Sequence, residues 1–75
     1  MAPMHLFRRP DGRYYAILPA ARDLLGDLVL TTVHGSVHSK MGGIKAYPAA
    51  DETEIQALER QIVTARVRHG YVAAN

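Results

Sequence analysis

Ser36 stands between His34 and His38 in the stretch VHGSVHSKMGGIK, residues 33–45. A serine beside an imidazole is the pairing from which nucleophilic catalysis is built. The same stretch carries Ser39, Lys40, Lys45 and the glycines Gly35, Gly42 and Gly43, and it has no acid. Its composition admits a Ser–His nucleophile, a histidine metal site, an anion-binding turn, or simply the polar tip of a hairpin.

Each chemistry makes demands. A working nucleophile needs a base oriented by a third group and an oxyanion hole. No carboxylate occurs between Asp27 and Asp51, and one small sheet offers little room for a deep pocket. A non-enzymatic protein is expected. His34 and His38 are spaced to share a helix face, but they fall on a strand end and a turn. A structural zinc takes four ligands, usually including cysteine, and this chain has none. His5 and His69 would have to converge on the pair, so no metal and no cofactor is expected. KMGGIK, residues 40–45, lacks the Gly-Lys-Ser/Thr ending and following helix of a P-loop. What remains is a glycine-containing turn with free amides and two lysines, able to hold phosphate without sequence preference. The acid-free window implies a local positive potential. Lysine and serine at a hairpin tip also serve solubility.

The 75 residues form one domain, 1–75, and 48% are hydrophobic, as in a folded globular chain. A domain this small buries only about 60% of its unfolded surface. Nine basic and seven acidic side chains leave a net charge of +2, compatible with nucleic acid without requiring it. The N-terminus lacks the apolar core of a secretion signal. No apolar run approaches the ~20 residues that span a membrane. Together with the absence of cysteine, this predicts a cytoplasmic protein with no membrane partner.

The elements that must position these residues follow from pattern. MHLFRR (4–9) and RYYAIL (13–18) read as strands joined at Pro10-Asp11-Gly12, a hairpin. Pro19–Asp27 is a loop with at most one helical turn, in which Leu24 and Leu25 are expected to tuck under a neighbour. LVLTTVH (28–34) is the clearest strand. Alternation places Leu28, Leu30, Thr32 and His34 on one face, and Val29, Thr31 and Val33 on the other. GSVHSKMGG forms a turn, with Gly42 and Gly43 at a turn or bulge. IKAY (44–47) is a fourth strand ended by Pro48. From Asp51 to His69 the spacing turns helical, with Ile55, Leu58, Ile62 and Ala65 in one stripe. Asp51 and Glu54 resemble a capping box. Arg66, Arg68 and His69 suit the negative end of the helix dipole, and Gly70 suits the position past its end. Tyr71 and Val72 are expected to pack back. The fold class is α+β: an antiparallel sheet of about four strands with one C-terminal amphipathic helix packed on one face.

From about Arg13 to Val72 the chain resembles a WGR domain, the small module of DNA-dependent poly(ADP-ribose) polymerases and of short stand-alone bacterial proteins. RYYAIL is similar to the family's aromatic second strand, DLVLTTVHGSVHSKMGGIKAYP to its central hairpin, and ALERQIVTARVRHGY to its closing helix. Anchored on Gly35, the signature tryptophan position holds His34 and the arginine position holds Ser36. A one-residue shift puts Val33 at the tryptophan. In the family the tryptophan packs against a DNA end and the arginine joins a polar network. His34 can still stack on a sugar or base, whereas Ser36 cannot replace a guanidinium fork. The resemblance implies a non-catalytic DNA-binding module that grips the phosphate backbone with cations and amides.

The expected contacts are His34, Gly35, Ser36, His38, Ser39, Lys40 and Lys45, with Arg66 and Arg68 extending the patch and Arg8, Arg9 and Arg13 as further candidates. Lys40→Ala should lower the salt slope of binding by about 0.9. The alternative is a protein-binding or homodimerising module. It would use an apolar sheet face that one helix cannot cover, made of Leu28, Leu30 and Tyr14 or Leu18.

Overall fold

The computed structural model describes residues 4–74, apart from the side chain of Met41. It is α+β, one six-stranded antiparallel sheet with a single helix on one face. The strands are β1 (His5–Arg8), β2 (Arg13–Ile17), β3 (Ala21–Arg22), β4 (Leu28–Ser36), β5 (Ser39–Ala49) and β6 (Val72–Ala73), and α1 spans Glu52–Arg68. β4 is central. It pairs with β5 along one edge, and with β2 and the short β3 along the other. β1 and then β6 extend the sheet beyond β2.

The expected hairpin forms between β1 and β2. Asp11 takes the backbone N–H of Arg13 on Oδ1 at 3.1 Å, and Gly12 supplies a φ of 90°. The helix begins where its cap predicts: Asp51 Oδ1 accepts the Glu54 N–H at 2.9 Å. Glu54 in turn accepts the Ala50 N–H at 3.2 Å. The helix ends before Gly70, whose φ of 88° reverses the chain and brings Tyr71 back into the core.

Cross-strand partners share a face. Leu28, Leu30 and Thr32 of β4 point toward the helix and are buried there with Phe7, Tyr15, Ile17, Ile55 and Tyr71. Leu58, Ile62 and Val63 of α1 pack on this cluster. The opposite face has no helix over it. There Leu6, Ala16, Val33 and Ile44 lie side by side on four adjacent strands. The apolar row expected on the open face is therefore not Leu28 and Leu30. The helix took the heavier β4 stripe, and the lighter one of Val29 and Val33 was left open.

Four other expectations change. The turn after β4 is only Val37-His38, and β5 runs 11 residues through both glycines and Pro48. The register shift falls at Gly35/Ser36, whereas Gly42 and Gly43, the expected site of a turn or bulge, pair in register with Gly35 and His34. Two two-residue strands, β3 and β6, join the sheet. Val72 pairs with Arg8 but leaves its side chain exposed. Leu24 and Leu25 do not tuck under anything; they stand at 105% and 86% exposure. The Asp23 carboxylate accepts the N–H groups of Leu25 and Asp27, each at 2.9 Å, closing a turn that holds both leucines outward. Among the described residues, no helix is long and apolar enough to cross a membrane.

Candidate nucleic-acid interface

His34 continues the helix-facing stripe of β4 past the point where the helix stops. It sits between Tyr15 of β2 and Gly43 of β5 in one cross-strand row. Its ring stacks beside Tyr15 at 6.3 Å between centroids and 18° between planes. A Cβ on Gly43 would lie 2.8 Å from the imidazole, so glycine makes room for the ring. Lys45 follows on the same face, opposite Thr32.

Arg66 reaches this row from the last turn of the helix. Its guanidinium lies 4.4 Å from the Tyr15 ring centroid and 5.4 Å from that of Tyr71. Arg9 covers Tyr71 from another side at 5.3 Å. Two aromatic faces hold the Arg66 head, an attraction that strengthens as water is excluded. Its Nε is buried and has no hydrogen-bond partner among the described residues.

Two recesses open around His34. The first, about 240 Å³, is lined by Tyr15, His34, Lys45, Tyr47 and Arg66. The second, about 420 Å³, is bounded by Arg13, His34, Gly35, Ser36, Ser39, Gly42 and Tyr71. Among the described residues the ion pairs are those of Asp11 with Arg9 at 3.4 Å and with Arg13 at 3.6 Å. Among the described residues Lys40, Lys45 and Arg66 have no carboxylate partner.

The structure therefore brings together His34, Gly35, Ser36, Ser39, Lys45 and Arg66. Lys40 is exposed at the start of β5, near the hairpin tip. Two expected contacts lie elsewhere. His38 packs its ring against Gly12 of the neighbouring turn. Arg68 lines a groove on the helix's outer surface with Arg60 and Thr64, because two residues along a helix turn a side chain through about 200°. Arg8 lines a third recess, on the face of the sheet away from the helix. Ser36 Oγ accepts the backbone N–H of His38 at 3.1 Å, so its hydroxyl closes the turn. Among the described residues no three histidine or acidic side chains gather as a metal site would need.

Tyr15, Tyr47 and Tyr71 are not among the expected site residues, although Tyr71 is expected to pack back and Tyr15 to lie in an aromatic strand. The signal available was the alternation Arg13-Tyr15, which places a cation and an aromatic on the face shared with His34. Gly35 has its own reason to be glycine: a Cβ there would lie 2.6 Å from the Tyr14 hydroxyl.

What the arrangement can do is hold an anion. It offers a guanidinium held by two rings, an exposed ammonium, an imidazole and aromatic walls, and of the cations lining the two recesses Arg13 alone pairs with an acid among the described residues. No protein-family model matches the chain, and neither a curated protein nor a solved structure is similar enough to count as a match.

Proposed function

We propose that the chain is a non-catalytic nucleic-acid-binding module whose helix-side recess receives backbone phosphates. One observation carries the reading. The Arg66 guanidinium is held against two tyrosine rings and shares a recess with Lys45 and His34, with no carboxylate among the described residues that line it. The guanidinium lines this recess, and a phosphate oxygen seated there would accept a charge-assisted bond from it. Arg13, Ser36 and Ser39 extend the surface toward the tip, where Lys40 adds a further cation. The resemblance to WGR domains points the same way. With His34 and Ser36 in the signature positions, the reading rests on backbone contact and not on recognition of a DNA end.

The test is fluorescence anisotropy with labelled blunt duplex, nicked duplex and single-stranded DNA at low and moderate salt. Micromolar binding that falls as salt rises supports the reading. No binding at low salt overturns it.

A further inference from the structure

The turn between β3 and β4 is built to display two leucines. Asp23 N–H donates to the Asp27 carbonyl at 2.9 Å, and Gly26 N–H to the Asp23 carbonyl at 3.0 Å. The Asp23 carboxylate takes two further amides, and the Arg22 guanidinium bonds the Gly26 carbonyl at 2.8 Å. Gly26 supplies a φ of 84°. Leu24 and Leu25 project from this locked frame into solvent. Preordering removes much of the entropy cost that a flexible loop pays on binding. Asp27 flanks the pair, and its carboxylate has no partner among the described residues.

At the opposite end of the sheet lies a recess of about 360 Å³ with apolar walls of Leu6, Pro10, Tyr14 and Val37, and with Arg8 and Arg13 among its lining. Its frame is also fixed. The β1–β2 turn and the β4–β5 turn are joined by the Val37 N–H, which donates to the Gly12 carbonyl at 3.0 Å. The volume falls within the range of pockets that enclose small apolar groups. Arg8 is exposed and has no carboxylate partner among the described residues.

One chain thus carries an apolar projection beside a free acid, and an apolar recess beside a free base. We propose that Leu24 and Leu25 of one copy enter the Leu6–Pro10–Tyr14–Val37 recess of a second copy, with Asp27 facing Arg8 across the contact. The two halves lie at opposite ends of β4, so the contact is head-to-tail. Such a contact closes into a ring or continues as an open chain, as its rotation dictates. The occupant is a second copy because the same chain carries both the apolar projection with its acid and the apolar-walled recess with its base.

The experiment is sedimentation velocity of the full chain over a wide span of concentration, without nucleic acid, so that its result is independent of the DNA reading. The sedimentation coefficient is expected to rise with concentration. The double variant Leu24→Ser with Leu25→Ser, which touches no core contact, is expected to stay monomeric with an unchanged melting temperature. Asp27→Lys and Arg8→Glu should each weaken association about tenfold, and the two together should restore it. A wild-type chain that is monomeric throughout overturns the proposal. So does association that survives loss of both leucines, or a charge swap that fails to rescue.

Discussion

Replacing Lys45 with alanine removes one cation from the recess and leaves the core alone, because the side chain is exposed on the outer strand. The size of the effect follows from counting. Arg13, Lys45 and Arg66 line the two recesses, and Lys40 stands beyond them at the tip. Four neutralised phosphates on duplex DNA give a slope of log K against log salt of about −3.6. Affinity then falls roughly 150-fold between about 50 and about 200 mM salt. Lys45→Ala should reduce the slope to about −2.7 and the fall to roughly 40-fold. Lys40→Ala should do the same. Arg60→Ala and Arg68→Ala, on the outer surface of the helix, should leave the slope at its wild-type value. The assay is anisotropy of a labelled duplex titrated at several salt concentrations. A slope unmoved by Lys45→Ala would refute the phosphate assignment, as would an equal change on losing Arg60.

Three stability predictions follow from single contacts, each checked by thermal or chemical denaturation. Gly42→Ala would place a Cβ 2.5 Å from the His34 carbonyl oxygen, a backbone atom that cannot swing away. It should cost about 1–3 kcal/mol and open the β4–β5 pairing next to the recess, visible as faster amide exchange there. Thr32 is wholly buried, and its hydroxyl has no hydrogen-bond partner among the described residues. Thr32→Val should therefore stabilise by about 1 kcal/mol, raising the melting temperature by roughly 4–8 °C; a lower melting temperature would refute this. Asp51→Ala removes the oxygen that caps the helix through Glu54 N–H and should cost about 1 kcal/mol.

The parts of the fold that sequence revealed are those whose cause is local. Pro10-Asp11-Gly12 closes its own turn, and Asp51, Glu54 and Gly70 bound the helix within a few residues of each cause. The two-residue strands β3 and β6 are too short to show a period, and they exist because β4 and β1 offer them an edge. The exposure of Leu24 and Leu25 depends on the Asp23 hydrogen bonds, which overrule the pull of apolar side chains toward cover. Gly42 and Gly43 read as a turn because glycine is poor strand material. They are strand residues because only glycine fits against the His34 carbonyl and ring. The site divides in the same way. That His34 and Lys45 lie on or beside the hairpin follows from their positions in the chain. That Arg66 meets them, and Arg68 does not, depends on where the helix docks and how far it turns in two residues. No spacing within the hairpin carries that information.

β5 pairs with β4 on one side only, and Pro48 sits within it. The Leu18 N–H donates to the Thr31 carbonyl, so Thr31 faces β2 and its neighbours Leu30 and Thr32 face β5. Alternation then turns the peptide groups of Tyr47 and Lys45 inward, and those of Pro48, Ala46 and Ile44 toward the free edge. Pro48 lacks an N–H at the one place where the fold never asks for it and an incoming strand would. The ring is thus a stopper on an edge that would otherwise serve as a template for aggregation. Its value lies in contacts that the folded chain is kept from making.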